Sequence, residues 1–354
     1  MNFASDNAVG ASEAILAAIA SANPGAKPAY GADDLSREAE RALAGWFEHE
    51  VAAFLVATGT AANALAIGAL TQPWCAALCH AHSHLANDEC GAPEFFAGGA
   101  KLLLVEGAAG KITPATLDEA LARVPRDIVR QSRPACLSLS QATEAGTLYT
   151  LDELCALSDA AHARGLAVHM DGARFANALV SLGCTPAELT WRAGIDVLSL
   201  GASKNGAIAC EAVIFFDRTR ADGFAHQRKR GGHTLSKGRF LGAQMLAWLT
   251  DDHWRMLATH ANTQAARLAD GLVEIPGVSL AWPNEINEVF AVLPQKICEV
   301  LRGAGVVFYD WHVEALAPVH RPDGDKAFVR LIASFATDPA DVDRFLELAQ
   351  IAAR

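Results

Sequence analysis

Three short segments hold residues whose types and positions could do chemistry together. Thr58-Gly59-Thr60 ends the apolar run Val51 to Ala57 and opens a helix over 61–70. It offers two hydroxyls and free backbone N–H groups at the positive end of a helix, a cup suited to phosphate, although a glycine between strand and helix more often makes only a turn. Asp171 closes the apolar stretch Leu166-Ala-Val-His-Met170. A carboxylate at the end of a buried strand needs a cation or an N–H group to offset its desolvation, and Arg174 could supply that internally. Lys204 follows Val197-Leu-Ser-Leu-Gly-Ala-Ser203. Burial there would favour the neutral amine that forms Schiff bases, while an ordinary cation at the rim is the simpler alternative.

Together the three meet the needs of one cofactor. A phosphate cup, a carboxylate able to pair with a protonated pyridine nitrogen and an imine-forming lysine at one sheet edge are what pyridoxal 5'-phosphate (PLP) requires. A basic island fits the phosphate as well. Residues 218 to 239 contain Arg218, Arg220, Arg228, Lys229, Arg230, Lys237 and Arg239 against the single acid Asp222. Such runs are usually solvated faces, but Gly231-Gly232 and Ser236-Lys237 give this one loop character and N–H donors, so that one or two of its cations reach an anion.

These residues need a scaffold that gathers strand ends. From about residue 50 to 216 short apolar runs alternate with helical stretches, the pattern of a mostly parallel sheet covered by helices. Strands are expected at 54–57, 76–79, 102–105, 135–139, 167–170, 196–200 and 212–216, seven in all. In such a sheet ligands lie beyond the carboxyl ends of the strands, where Thr58, Asp171 and Lys204 fall. Thr150-Leu-Asp-Glu153 and Thr185-Pro-Ala-Glu188 read as capping boxes that start helices. Residues 34–48 and roughly 240–272 read as helical. After Pro276-Gly277 come strands at 289–293 and 328–333 and a last helix opened by Asp338-Pro339, the outline of a smaller α+β domain. The expected organisation is an N-terminal arm over 1–30, a large cofactor-binding domain over 31–245 and a small domain over 246–354.

Composition limits the partners. The 354 residues are 51% apolar, enough for about two domains with substantial cores, and the net charge of −11 has the wrong sign for nucleic acid or an anionic membrane. No apolar run reaches the length of a bilayer span and the start shows no secretory pattern, so the expectation is a cytoplasmic protein with a small-molecule partner. The eight cysteines include no C-x-x-C pair and read as buried, reduced thiols.

The segment His169-Met-Asp-Gly-Ala-Arg174 resembles the H-x-D-G-A-R stretch of the threonine aldolases of PLP fold type I, and the likeness runs over nearly the whole chain. Ser5-Asp6, Tyr30-Gly31, Thr58-Gly-Thr60, His84 with Glu89, Ser203-Lys204-Asn205-Gly206 and Arg330-Leu331 follow in the family's order. The stretch from Asn87 to Phe96, NDECGAPEFF, is similar to the low-specificity L-threonine and phenylserine aldolase branch. The resemblance implies an aspartate-aminotransferase-like α/β fold with a small C-terminal α+β domain, and retro-aldol cleavage of L-β-hydroxy-α-amino acids to glycine and an aldehyde.

It also implies roles. Lys204 carries PLP, Asp171 pairs with the pyridine nitrogen, His84 stacks on the ring, and Gly59 and Thr60 bind the phosphate. Arg174 and Arg330, with Ser5 and Asp6, hold the substrate carboxylate. The family's sites lie at an interface between copies, at least a dimer and commonly a tetramer, so Tyr30 and the loop from Arg230 to Lys237 come from the neighbour. Independently of the resemblance, Arg330 interrupts Phe328-Val329 and Leu331-Ile332, where a guanidinium is costly unless an anion answers it. The base for the β-hydroxyl proton is open: where many relatives have a histidine this chain has Gln141-Ala-Thr-Glu144, so either Glu144 takes its place or His84 acts directly or through water.

Two other enzyme readings follow from the same residues. His80-Ala-His82-Ser-His84 after a strand is how some metal-dependent hydrolases of the TIM-barrel class begin. A β-eliminating lyase or aminotransferase on the same PLP fold is the nearer rival.

Overall fold

The computed structural model describes residues 1–354 except 126, 127, 314, 315, 317–320 and 323. All seven expected runs form strands of one sheet: β1 (Ala52–Val56), β2 (Cys75–His80), β3 (Lys101–Val105), β4 (Arg133–Ser140), β5 (Ala167–Gly172), β6 (Val197–Gly201) and β7 (Glu211–Phe215). Their order is β1-β7-β6-β5-β4-β2-β3, with β7 antiparallel to both of its neighbours and the pairings from β6 to β3 parallel. Every residue of β2, β5, β6 and β7 is buried, because helices cover both faces. The edge strand β3 is the polar exception, with Lys101 and Leu104 exposed.

Local signals place the helices. Thr150 and Thr185 close the expected capping boxes onto Glu153 and Glu188. A third box, Thr113 with Thr116, uses a threonine where glutamate is usual. The expected helical stretch over 240–272 is two helices, Arg239–Leu249 and His253–Val273. They are separated at Thr250–Asp252, where Asp251 and Asp252 take φ of 52° and 55°. Neither is a glycine, so the sequence carries no conventional mark of the break. Residue 245, the expected domain division, lies inside the first of these helices.

That first helix packs against the helix Asp34–Trp46, and a Cβ at Gly242 would lie 2.6 Å from the Leu35 backbone. Only glycine allows this approach. Beside it the Trp46 ring makes edge contacts with Phe175, Trp248 and Trp254, while Trp191 stacks on His49 with centroids 4.6 Å apart. These tryptophans are packing residues. Among the cysteines, Cys75, Cys79, Cys136, Cys210 and Cys298 are buried, but Cys90 and Cys155 are exposed and Cys184 is half-buried; all eight are free thiols. The expectation of uniform burial fails because Cys90 lies in a turn at φ 52° and Cys155 on the outer face of a surface helix.

The C-terminal part holds an antiparallel sheet of β8 (Ser279–Leu280), β9 (Glu288–Pro294), β10 (Tyr309–Asp310) and β11 (Lys326–Ile332), in the order β10-β11-β9-β8. The helices Gln295–Gly303 and Pro339–Ala353 and the second half of His253–Val273 pack against it around Leu268, Leu293, Leu301 and Phe345. The N-terminal segment joins this layer. Phe3 donates its N–H to the Val307 carbonyl, accepts from the Ile332 N–H, and sets its ring 5.3 Å from that of Phe345. No helix among the described residues is long and apolar enough to cross a membrane.

Candidate active site

The carboxyl ends of the parallel strands carry the expected residues. Asp171 is the next-to-last residue of β5, Lys204 lies in a single 3-10 turn (Ser203–Asn205) after β6, His84 opens the short helix His84–Asn87 after β2 and Glu144 lies in the loop after β4. Because β7 runs the other way, its first residue, Glu211, also reaches this edge, level with Gly201.

Asp171 is not answered by Arg174. Its Oδ2 accepts from Asn63 Nδ2 at 2.8 Å and its Oδ1 from the Ala173 N–H at 3.0 Å. The same Asn63 amide donates to Glu89 Oε1 at 2.8 Å, and Glu89 Oε1 lies 2.9 Å from His84 Nδ1. A continuous chain therefore runs Asp171, Asn63, Glu89, His84. Its bond to Glu89 holds the His84 imidazole above the ordinary histidine range despite partial burial. Burial in turn raises the Glu89 carboxyl. Two residues before Asp171, His169 is clasped across three strands, Nδ1 by Ser138 Oγ and Nε2 by Ser199 Oγ, each at 2.9 Å. Burial pushes its imidazole down to about 4, so it is a neutral tie between strands.

Glu144 touches the same cluster. Its Oε1 accepts from the His84 N–H at 2.7 Å and from Ser140 Oγ at 2.9 Å, and its Oε2 has no hydrogen bond. Burial, reinforced by the negative Asp171, pushes this carboxyl up to about 7.

On the other side of Lys204 lies a buried group of charges. Arg174 grips Asp6 with Nε at 2.8 Å and Nη2 at 3.1 Å, and its Nη1 is 3.2 Å from Glu288. Burial alone would raise the Asp6 carboxyl, but Arg174 and Lys204 hold it below its usual range. Arg330, on β11, has no direct ion pair of this kind and faces Glu288 and Asp6 only through the field between them. Its guanidinium lies 4.0 Å from the Trp311 ring centroid and its Nε has no hydrogen-bond partner. Ser5 caps the turn beside Asp6, accepting from the Asn7 N–H. Lys204 lies within electrostatic reach of Asp6, His84, Glu211 and Glu288, which places it between the two groups.

At the cup, Thr58 caps the helix Gly59–Leu70 by accepting from the Ala61 N–H. Gly59 is exposed, with nothing within 4 Å of where a Cβ would stand. The basic island is mostly spent within the chain. Arg218 pairs with Glu50, Arg220 with Asp196, Arg228 donates to the Leu55 carbonyl, Lys229 covers the Tyr30 ring and Arg239 binds the Gly25 carbonyl. Arg230 and Lys237 are exposed. Tyr30 meets this loop, its N–H donating to the Ser236 carbonyl, so Tyr30, Arg230 and Lys237 form an outer group separate from the inner cluster.

His80 and His82 do not converge on His84. His80 Nε2 is engaged by the Gly107 carbonyl and Nδ1 by the His82 N–H, and the open sheet is no TIM barrel. A cleft of about 710 Å³ lies at the opposite edge, lined by Trp74, Arg133, His162 and Arg220, and none of the candidate residues lines it. Geometry, and not cleft size, locates the chemistry. Sequence reading missed Asn63, Glu211 and Glu288. The signal for Asn63 was available, a lone amide inside the apolar helix Gly-Thr-Ala-Ala-Asn-Ala-Leu-Ala-Ile; the two glutamates look like ordinary strand starts.

This is the architecture and site of a type I lyase scaffold, and the chain belongs to the beta-eliminating lyase family, whose model matches residues 2–295. Within that class it is 42% identical to the low specificity L-threonine aldolase of Pseudomonas aeruginosa, over 98% of this chain and 96% of the relative. It is 43% identical to the enzyme of the same name from a Pseudomonas species, over 87% and 88% of the two chains. A solved structure of Leishmania major threonine aldolase superposes with a TM-score of 0.92 at 28% identity, covering 100% of this chain and 99% of that one. The resemblance read from the sequence and the fold class expected from it both hold.

Proposed function

We propose that the chain is a PLP-dependent aldehyde-lyase that cleaves L-threonine, L-allo-threonine and related L-β-hydroxy-α-amino acids, phenylserine among them, to glycine and an aldehyde. The observation that carries this reading is the buried Arg330 Nε without a partner, an anion site next to the lysine and carboxylate that a pyridoxal cofactor needs. The residues fit the cofactor. Lys204 would hold it covalently, Asp171, fixed by Asn63 and Ala173, would face its pyridine nitrogen, and the N–H groups of Gly59 and Thr60 would take its phosphate. When bound, the cofactor supplies an electron sink for the bond broken between Cα and Cβ.

The chain's own residues do the rest. Arg330 would bind the amino-acid carboxylate in its plane, because Trp311 covers one face of the guanidinium, and this grip would orient the substrate for cleavage between Cα and Cβ. His84, whose imidazole the bond to Glu89 holds above the ordinary histidine range, would pack over the cofactor. Arg174, already bidentate to Asp6, braces the carboxylate site without binding substrate itself. Glu144 takes the β-hydroxyl proton, since its carboxyl is poised at about 7 and has a free oxygen. Tyr30, Arg230 and Lys237 complete the phosphate site of a second copy in a homodimer or homotetramer, and the setting is cytoplasmic.

Product analysis tests the reaction. Purified protein given threonine, allo-threonine or phenylserine should release glycine and the matching aldehyde in equal amounts; keto acid in place of aldehyde would overturn the assignment. The base is tested by pH. Glu144 works in its ionised form, so kcat/KM should climb with pH through about 7 and level off above it. Glu144→Gln should lower kcat/KM roughly 100-fold or more and remove that limb. A limb that survives unchanged in Glu144→Gln would assign the proton transfer to another group.

A further inference from the structure

Glu211 takes no part in the chemistry described so far, yet it is a buried ionisable group at the carboxyl edge of the sheet, 5% exposed. It stands there because β7 is antiparallel, so the first residue of β7 sits opposite Gly201, the last residue of β6. The carboxyl faces the turn that carries Lys204. Its Oε2 accepts from the Ala202 N–H at 2.9 Å, its remaining contact is the Ser203 hydroxyl and N–H, and Lys204 is the charged group that faces it. Ser203 Oγ in turn accepts from the Cys210 N–H at 3.2 Å, and the Ala202 N–H also reaches the Cys210 carbonyl at 3.3 Å. The residues before Lys204 and the residues at the start of β7 are thus clasped to each other through one carboxyl and one hydroxyl. Burying a carboxyl against a two-residue turn is expensive, and a neutral amide or a threonine would hold the same turn at less cost in desolvation. What the acid adds is a negative charge under the lysine.

We infer that Glu211 is a positioning residue that fixes the Ala202-Ser203-Lys204 turn and, beside Asp6 and Glu288 and against the opposing imidazole of His84, adds an anion that stabilises the cationic form of the Lys204 nitrogen. The inference rests on the reading of Lys204 as the residue that carries the cofactor. Burial pushes the Glu211 carboxyl up to about 7, opposed by Ser203, Ala202 and Lys204, so the anion is present in neutral to alkaline solution. The thiol facing it, Cys210, is buried and raised well above the usual range, and stays neutral there.

The test is an absorbance titration of the holoenzyme. In the wild type the visible band of the bound cofactor should change with pH at one midpoint, as the nitrogen on Lys204 loses its proton. Glu211→Gln keeps an oxygen for the Ala202 N–H but removes the charge, so the midpoint should fall by about half to one pH unit, with the melting temperature little changed. Ser203→Ala, which loosens the clasp and keeps the charge, should leave the midpoint in place and raise KM or lower kcat. A midpoint unchanged in a coloured, folded Glu211→Gln protein would overturn the inference. If Glu211→Gln does not fold, a Ser203→Ala midpoint displaced by as much as half a unit overturns the charge role. A wild-type protein with no visible band would overturn the cofactor reading, and this inference with it.

Discussion

Replacing Lys204 by alanine is expected to leave a folded, colourless protein with almost no activity. The side chain has no hydrogen bond or ion pair among the described residues, so its loss breaks no direct contact and creates no gap in the core clusters. What disappears is the amine at the one position from which Asp6, His84, Glu211 and Glu288 are all within electrostatic reach. On the proposed reading, a cofactor would then be held only by the Gly59 and Thr60 N–H groups and Asp171 and would lose the amine that holds it covalently. A fall in kcat/KM of at least about 1,000-fold, roughly 4 kcal/mol of barrier, is the scale to look for. The check is a visible spectrum, a threonine cleavage assay and a melting curve on one preparation. A Lys204→Ala protein that stays yellow and active would remove the lysine from the site and with it the central role assigned here.

The second large effect belongs to Arg330. Alanine there should cost about 2 to 4 kcal/mol in kcat/KM, the usual loss when one partner of a desolvated ion pair is removed, and the effect should fall on substrates with a free carboxylate. The sign follows from what already surrounds the two arginines. Arg174 is answered by Asp6 and Glu288, and its removal would strand two buried carboxylates, a cost in folding. Arg330 has a ring over its face and an unpartnered Nε and faces Glu288 without a direct bond, so its removal breaks no ion pair, and the larger part of the loss should appear in catalysis and the smaller in the melting temperature. Lysine at 330 should recover little, since a point charge cannot meet both carboxylate oxygens in one plane. An unchanged kcat/KM in Arg330→Ala would take the residue out of substrate binding.

Much of this was legible because it is local. Short apolar runs alternating with helical stretches located all seven strands of the large sheet, and Thr150 and Thr185 with a glutamate three residues on set two helix starts. Asp171 and Lys204 could be picked out as polar residues directly after apolar strands, which is where the topology delivers ligands. The partners were not legible. Nothing near Asp171 says that Asn63, 108 residues away, will hold it in place of the nearby Arg174, and Arg174 gave no sign of turning to Asp6 across 168 residues. The break at Thr250–Asp252 escaped for a different reason, two aspartates in a left-handed conformation that glycine usually marks. The seven-cation island was visible as composition, but which cations stay without a partner among the described residues, Arg230 and Lys237, depended on acids, carbonyls and a ring brought in from elsewhere in the fold.

The bond between Arg174 and Asp6 also orders the molecule in time. Asp6 and Phe3 leave the ribosome before any of their partners: Arg174, Asn287, Val307 and Ile332 all follow, the last after more than three hundred further residues. The opening segment must therefore wait, unpaired, while the large sheet assembles behind it. Only when β11 has emerged can the first residues thread back to close the carboxylate end of the site. Competence to bind an amino acid is thus one of the last properties the chain acquires, and it arrives together with completion of the C-terminal layer.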